Sequence, residues 1–392
     1  MLSSSIHYFG SPRCILMNGI YYYLIAFFII WTASLLFRNW LSGHGFEINF
    51  PVIMWKTDRL RGIISKISNF SPTFWKWYMN VGIVVCYIGM FAMSWILLSS
   101  IQTALEAPSV SIVLPGVEIP GSPIYVPFLS GFIALATVLI VHEFSHGIQA
   151  VGEKIPIKSV GLLLVAILPG AFVEPDEEEL KKSSRISRLR VYGAGTMANI
   201  TLALIALLVV SGISYEIPEL FDENGIEISR IVGDSPSEGI LKQGMVIESI
   251  DGNKINDSQS YLDIVSTFSP GDNITVQTDQ GSYNVVLGKN PNNESVGFFG
   301  IQASKHFELK DNSLGELPWV LFTLAEIFQW VFTLNLGIGL FNILPIKPLD
   351  GGYMLEILLS YRLSERYYKP IVNAVSAIFA LVIVFSLVAG FL

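Results

Sequence analysis

The sequence predicts a polytopic α-helical membrane protein with about six transmembrane helices, one re-entrant or β-hairpin segment and one inserted small α/β domain. Of the 392 residues, 52% are hydrophobic and only 14% are charged, and the mean hydropathy is +0.54. A soluble protein carries about 25% charged residues. Because the net charge is −8, nucleic acid is not an expected partner. The lipid bilayer is an expected partner because the chain is so apolar.

Six apolar segments are long enough for membrane-spanning helices, which need roughly 20 residues each. The first is too long for the apolar core of a signal peptide, and no clear small-residue cleavage site follows it, so we expect it to be retained. The two cysteines, Cys14 and Cys86, have no metal-ligand spacing and are interpreted as ordinary small apolar residues. The approximate bounds of the six segments are 20–37, 75–98, 125–151, 191–214, 319–344 and 370–391.

The third segment contains His142-Glu143-Phe144-Ser145-His146 toward its C-terminal end. In a helix, His142 and His146 share a face and can bind one zinc ion together. Glu143 then lies beside the metal, where it can take a proton from a zinc-bound water. Ionisable residues within a membrane helix cost a few kcal/mol each and usually have a function. The pattern therefore predicts a zinc site of the metalloprotease type rather than a chance match.

Residues 160–174 follow as two short apolar arms around Pro169-Gly170. The first arm is too short to span the membrane as a helix, so the segment is predicted to form a hairpin or a re-entrant loop. Non-helical backbone at membrane depth is tolerated only where it is buried or lines a cavity, which favours a position near the zinc site. A simple loop at the membrane surface is the alternative.

The fourth segment begins with small residues, Gly193-Ala194-Gly195, which permit close packing of helices. Asn199 is a polar residue within this segment, and it can cap or bridge helices. A purely structural role for Asn199 is as compatible with the sequence as a functional one.

Residues 215–310 form a predicted soluble domain, because charges become frequent and short alternating runs are separated by Gly, Asn and Asp. Its strands are predicted at 226–232, 245–250, 274–277 and 283–287, and its helix at 261–268. The predicted divisions of the chain are two N-terminal spans (1–110), a first core segment with the His-Glu motif (111–214), the inserted domain (215–310) and a second core segment (311–392).

The distribution of basic residues predicts the orientation of the chain. Segments 38–76, 153–190 and 345–369 hold 17 of the 24 lysines and arginines, whereas the opposite loop at 99–123 holds none. Long domains cross the membrane regardless of their charge, so the inserted domain does not affect this balance. We therefore expect the three basic segments and the metal toward the cytoplasmic side, and the termini and the inserted domain outside.

Two histidines leave a catalytic zinc one protein ligand short. The extended metzincin spacing would place a third histidine at position 152, where this chain has Gly152. Glu326 lies roughly 10 Å below the outer face of the membrane, which is too shallow for the metal. The other histidines fall outside the membrane or on its wrong side; they are His7, His44 and His306.

Asp350 matches the expected depth of the metal, because it lies at the inner end of the fifth segment, between Pro348 and Gly351-Gly352. Among the carboxylates it is the best candidate for the third ligand. The alternative role for this side chain is that of a helix N-cap at a turn.

The chain resembles the site-2 protease family of intramembrane zinc metalloproteases, peptidase family M50, over about residues 125–355. The matching features are the His-Glu motif, the segment Asn342-Ile343-Leu344-Pro345-Ile346-Lys347-Pro348-Leu349-Asp350-Gly351 and a PDZ-like domain between them. This resemblance implies that one zinc ion is bound by His142, His146 and Asp350, with Glu143 as the catalytic glutamate. It also implies that Asn342 stabilises the transition state. Thr196 departs from the family's Gly-Pro-x-x-Asn pattern, which has proline at that position.

The same resemblance implies a substrate-clamping role for the hairpin, and the residues concerned are Gly161, Leu162, Leu163, Pro169 and Gly170. The run from Asp234 to Gly252 is similar to the PDZ domains of bacterial-type proteases, with Gly244-Met245 where the usual pair is Gly-Asp. Such a domain either captures a peptide end or excludes substrates with a bulky outer portion, and the sequence leaves both open.

These features predict an intramembrane zinc endopeptidase that cuts transmembrane segments of other membrane proteins. A zinc transporter is the first alternative, but it would need ligands strung along a path through the membrane, whereas these candidates cluster at one depth. An inactive relative that only binds membrane segments is the second alternative, and it leaves Glu143 without a role.

Overall fold

The computed structural model describes residues 19–102, 110–117, 119, 122, 124–233, 235–290 and 293–389. His7, Cys14 and Asp234 lie outside these described residues. The described chain divides into two compact units. The smaller unit is Ser211–Glu326, and the larger unit consists of the described residues before and after it.

Five of the described α-helices are long and apolar enough to cross a membrane, by length and composition; they are α4, α5, α7, α9 and α11, as defined below. The first helix is also apolar but shorter, so its crossing of the membrane stays a prediction. In chain order the helices are α1 (Gly19–Leu36), α2 (Arg38–Gly43), α3 (Asp58–Phe70), α4 (Pro72–Ser99), α5 (Phe128–Gly152), α6 (Glu177–Lys182), α7 (Arg185–Leu220), α8 (Ser258–Val265), α9 (Val320–Asn342), α10 (Asp350–Ser360) and α11 (Glu365–Ala389).

Helix α3 is a short amphipathic helix that packs against α5. Ile64 and Ser68 are its buried residues, and the Ser68 hydroxyl donates to the carbonyl oxygen of Ile148 in α5 at 2.7 Å. Gly147 makes this approach possible, because a Cβ at that position would lie 3.1 Å from the Ile64 side chain. The sequence had indicated only a basic polar stretch here, since α3 carries Arg59, Arg61 and Lys66 on its other faces.

Helix α7 begins six residues before the predicted span, and its first turns form a polar cluster with α4 and the C-terminal end of α5. Glu153, directly after α5, accepts hydrogen bonds from Arg190 at 2.8 Å and from Ser187 at 2.6 Å. Arg190 also donates to the Asn80 side chain of α4 at 2.9 and 3.0 Å. These contacts fix the ends of the three helices that surround the His-Glu motif.

A four-stranded antiparallel sheet in the larger unit includes the predicted hairpin. In spatial order its strands are β1 (Phe46–Asn49), β2 (Val52–Lys56), β3 (Ile157–Val165) and β4 (Leu168–Pro175). Strands β3 and β4 form the hairpin, whereas β1 and β2 were not predicted from the sequence. Because β3 lies between β2 and β4, the hairpin has one edge without a neighbouring strand among the described residues, along β4. Whether this hairpin enters the membrane stays a prediction.

The turn of the hairpin is held from two sides at Ala166. Its N–H donates to the carbonyl oxygen of Pro51 at 2.7 Å, and its carbonyl oxygen accepts from the Trp31 indole of α1 at 2.8 Å. Trp31 is only 4% exposed and packs edge-on against Phe50 at a centroid distance of 4.9 Å. Helix α1 and the β1–β2 turn therefore fix the position of the hairpin tip.

The smaller unit contains an antiparallel sheet with the order β12-β5-β6-β8-β9, in which β7 pairs with β6, and a separate β10–β11 pair. Thirteen buried residues, among them Ile228, Ile247 and Val276, form its own hydrophobic core. Helix α8 begins at residue 258, three residues before the prediction, because Asp257 and Ser260 form a capping box. The strands are β5 (Phe221–Ile231), β6 (Val246–Ile250), β7 (Asn253–Lys254), β8 (Asn273–Thr278), β9 (Gly281–Val286), β10 (Gly288–Asn290), β11 (Asn293–Phe298) and β12 (Ile301–Leu309).

Candidate metal centre

The structure brings His142, His146 and Asp350 together. The two histidines lie on one face of α5, with ring centroids 4.8 Å apart. The Oδ2 atom of Asp350 lies 3.2 Å from Nε2 of His142 and 3.3 Å from Nε2 of His146. One nitrogen or oxygen atom from each of the three residues lies within 4.8 Å of the others.

Two glycines allow Asp350 to reach this position. A Cβ at Gly351 would lie 2.0 Å from the carbonyl oxygen of Ile343, and one at Gly352 would lie 2.6 Å from the carbonyl carbon of Ile346. No side chain fits at either position, so the first turn of α10 packs directly on the backbone that follows α9. The N-cap position of α10 belongs to Leu349, and Asp350 is the first helical residue. The N-cap alternative for Asp350 is therefore wrong.

The donor atoms fit a zinc ion. Four tetrahedral ligands at about 2.0–2.1 Å from zinc lie about 3.3–3.4 Å from one another, and both separations from Asp350 agree with this spacing. The Asp350 Oδ2 atom is buried and has no hydrogen-bond partner among the described residues. A buried carboxylate oxygen without a partner is costly unless a cation compensates it. Two imidazoles and one carboxylate also form a ligand set of catalytic zinc sites.

Glu143 lies beside this cluster and faces strand β4. Its Oε2 atom accepts a hydrogen bond from the Val173 N–H at 3.3 Å. Gly147, one helical turn later in α5, lets β4 approach, because a Cβ there would lie 3.0 Å from a methyl group of Val173. The Val173 N–H is directed to Glu143 rather than to β3. The free edge of β4 therefore lies next to the glutamate.

The predicted substrate residues divide between a central strand and an edge strand. On β3, Leu162 pairs with Trp55 on one side and with Ala171 on the other, so the backbone of β3 is already paired along both sides. Gly161 and Leu163 share this arrangement, whereas Pro169 and Gly170 lie on β4. Within the hairpin, an added strand can therefore pair with β4 but not with β3.

Asn342 is the last residue of α9 and is partly buried, eight residues before Asp350. The short distances that join His142, His146 and Asp350 do not involve it, and neither does the contact between Glu143 and Val173. Its role in the transition state therefore stays a prediction.

Two residues of α7 lie next to the candidate metal centre. The sequence did not predict the first, Val191, and it left the role of the second, Asn199, undecided. The carbonyl oxygen of Val191 in α7 accepts a hydrogen bond from Nδ1 of His146 at 2.7 Å. The amide of Asn199, also in α7, lies 3.3 Å from Nδ1 of His142. A backbone carbonyl leaves no signal in residue types, but Val191, Gly195 and Asn199 follow one another at helical intervals of four.

A His-His-Asp cluster of this kind in a chain with five potential membrane spans is the arrangement expected of a membrane metalloprotease. The model of peptidase family M50 matches residues 130–384, so the chain belongs to that family, which includes the site-2 proteases. The family expected from the two sequence motifs is thereby confirmed.

Of three curated relatives, one is uncharacterized and two have names that agree with this assignment. The chain is 28% identical over 333 residues to the uncharacterized protein MJ0971 of Methanocaldococcus jannaschii, which covers 84% of this chain and 83% of the relative. It is 26% identical to the putative zinc metalloprotease FN1322 of Fusobacterium nucleatum, over 59% of this chain and 88% of the relative. A site-2 protease homolog of Arabidopsis thaliana is 25% identical over 35% of this chain and 28% of its own length.

Among solved structures, the PDZ domain of an SdrC-like protein from Listeria innocua matches 21% of this chain and 97% of its own length. The sequence identity is 23% and the TM-score is 0.20.

Proposed function

We propose that the protein is an intramembrane zinc endopeptidase that cleaves transmembrane segments of other membrane proteins. One zinc ion per chain is held by His142, His146 and Asp350. The observation that carries this proposal is the approach of Asp350 Oδ2 to both Nε2 atoms, at 3.2 and 3.3 Å, with Glu143 next to them on the same helix. Membership in peptidase family M50 supports the same chemistry.

The catalytic steps fall to the side chains around the metal. Zinc held by these residues would lower the pKa of a coordinated water toward about 7 and would polarise the scissile carbonyl. Glu143 would act as the general base that accepts a proton from the attacking water, and as the acid that delivers it to the leaving amine. The Asn342 side chain donates a hydrogen bond to the developing oxyanion.

The substrate must be presented in an extended form, because a transmembrane helix hides its amides in internal hydrogen bonds. The free edge of β4 accepts such a segment as an added strand, with main-chain hydrogen bonds for affinity. Residues alternate along an antiparallel strand, so Ala171 directs its backbone groups to the same side as Val173. The scissile bond is thereby brought next to Glu143, to which the Val173 N–H already donates.

The basic segments support an orientation in which the metal centre faces the cytoplasmic half of the membrane and the inserted domain lies outside. We assign a PDZ-like fold to that domain on its resemblance in sequence. Its proposed work is selection of substrates, because it is inserted between two spans and has its own core.

The test uses purified full-length protein reconstituted with a test protein that has one transmembrane segment. We expect about one zinc per chain by elemental analysis, cleavage within the transmembrane segment, loss of cleavage after chelation and recovery on addition of zinc. Zinc-loaded protein that does not cleave any of a panel of such segments would contradict the proposal. Transport of zinc into vesicles without proteolysis would favour the transporter alternative.

A further inference from the structure

We propose that one stripe of α7, consisting of Val191, Gly195 and Asn199, sets the orientation and the tautomer of both zinc-binding histidines. In this arrangement Asn199 is a positioning residue, whose side-chain oxygen accepts a hydrogen bond from Nδ1 of His142. The three residues follow at intervals of four and therefore lie on one face of the helix. The inference rests on the proposed zinc site.

His146 is fixed by a backbone atom. The carbonyl oxygen of Val191 lies 2.7 Å from its Nδ1 and can only accept a hydrogen bond. Nδ1 therefore carries the proton, and the lone pair of the imidazole resides on Nε2, which points to Asp350 at 3.3 Å. A carbonyl acceptor on the second nitrogen is a common partner of zinc-binding histidines.

His142 lies directly against the backbone of α7 at Gly195. A Cβ added there would lie 2.5 to 2.6 Å from Cε1, Nδ1 and Nε2 of the His142 ring. Real Cβ contacts are never this short, so only glycine leaves room for the imidazole. Any larger residue would displace the ring from this position.

Asn199, one helical turn after Gly195, also contacts the His142 ring. It is fully buried, its amide nitrogen is placed 3.3 Å from Nδ1 of His142, and its Oδ1 has no hydrogen-bond partner within the described part of the chain. The oxygen and nitrogen of a carboxamide exchange places by a half-turn of the amide. With Oδ1 toward Nδ1, the oxygen accepts the Nδ1 proton, and Nε2 is free to bind a metal.

Helix α9 holds Asn199 in place. A Cβ at Gly339 would lie 3.0 Å from the Cβ of Asn199, and the Thr196 hydroxyl donates to the Gly339 carbonyl oxygen at 3.2 Å. The close packing of α7 on α9 therefore fixes the backbone and Cβ of Asn199, which limits where its side chain can lie. Partners of this kind typically contribute 10- to 100-fold in metal affinity.

The experiment measures zinc affinity of the full-length protein by competition with a chelator, together with the visible spectrum of the cobalt(II) form. We expect Asn199→Leu to weaken zinc binding about 10- to 100-fold and to alter the cobalt spectrum. Asn199→Asp keeps an acceptor and should restore both readouts. The matched control is Asn335→Leu, since Asn335 is an equally buried asparagine on α9 that contacts Thr137 rather than a histidine.

A second pair of variants tests the same stripe without removing a polar group. Gly195→Ala should weaken zinc binding, whereas Gly193→Ala should not, because a Cβ at Gly193 meets only flexible side chains at 3.3 Å or more. Unchanged affinity and spectrum in Asn199→Leu, or equal losses in Asn199→Leu and Asn199→Asp, would overturn the proposal. Equal losses in the two glycine variants would do so as well.

The failure of this inference can be distinguished from that of the proposed function. Zinc affinity is measured without a substrate. Variants that show these losses in a protein that does not cleave would therefore refute the proposed protease activity, but they would support the role of the α7 stripe. A protein that cleaves, and that keeps normal zinc affinity in both Asn199→Leu and Gly195→Ala, would refute the role of the stripe but not the proposed protease.

Discussion

Glu143 Oε2 and the backbone nitrogen of Val173 lie 3.3 Å apart, which joins the His-Glu helix to the edge of a β-sheet. The proposed general base and the proposed surface for an extended peptide are therefore in direct contact. Gly147 makes this possible, because its missing side chain allows α5 and β4 to pack closely. An added strand on β4 would pass directly in front of Glu143.

The first prediction separates the base from the metal. Glu143→Gln should abolish cleavage, by about 100-fold or more, because the amide cannot take a proton from water. Zinc should stay bound, since the three ligand atoms belong to other residues. Elemental analysis and cleavage of the same preparation check this, and loss of zinc in the variant would count against the assignment of Glu143 as a base.

The second prediction concerns the ligands. Asp350→Ala and His146→Ala should each lower the zinc content, because either change leaves only two protein ligands. Glu174→Ala is the matched control: this carboxylate accepts a hydrogen bond from Ser159 at 2.6 Å, and its loss should leave zinc in place. Full zinc occupancy and activity in Asp350→Ala would remove Asp350 from the ligand set.

The third prediction tests strand addition at β4. Ala171→Pro removes an N–H that points away from β3, so the hairpin loses no internal hydrogen bond while an added strand loses a donor. We expect normal zinc content and a marked loss of cleavage. Unchanged cleavage in a zinc-loaded variant would mean that substrates do not pair with this edge.

The fourth prediction concerns the tip of the hairpin. Trp31→Phe keeps the ring beside Phe50 but removes the donor to Ala166, a loss of about 1 kcal/mol for a typical hydrogen bond. Hydrogen exchange of residues 163–169 should become faster, and the KM for a transmembrane substrate should rise with zinc content unchanged. Identical exchange in the variant and the unaltered protein would show that α1 does not hold the tip.

The sequence predicted the chemistry of the site better than its surroundings. The His-Glu motif and Asp350, which lies between a proline and two glycines, are local patterns whose residue types are typical of zinc ligands and a catalytic glutamate. The structure brings His142, His146 and Asp350 together. The hairpin was also predicted, but its turn was placed wrongly: the chain reverses at Ala166-Ile167, and Pro169-Gly170 lies within β4, paired with β3. These features depend on short stretches of chain that need no distant partner to be recognised.

The remaining parts depend on contacts between distant backbone segments. Strands β1 and β2 lie in a basic stretch and pair with each other locally, but they join the hairpin only because β2 pairs with β3, about a hundred residues later in the chain. Likewise, the Val191 carbonyl contacts His146, and the space at Gly195 accommodates the His142 ring, only because α7 packs on α5. Such features come from packing and not from residue type, so no pattern in one sequence identifies them.

The inserted domain raises a separate question, because it can select substrates or stabilise the membrane helices. Its thirteen-residue core and its own sheet are complete within Ser211–Glu326. The three predicted zinc ligands and Glu143 all belong to the larger unit. We therefore expect that the domain supplies no catalytic group.

The last prediction follows from this division. Replacing residues 216–310 by a short flexible linker should leave zinc binding intact, because no ligand is removed. Substrates with almost no outer portion should be cut as before or faster, and substrates with large outer domains should now be cut too if the domain excludes bulky partners. Loss of zinc and of helical content together would show instead that the domain holds the bundle together. A fall in activity with fold and metal preserved would identify the domain as a recruiter of substrate, which is the result expected if it captures peptide ends.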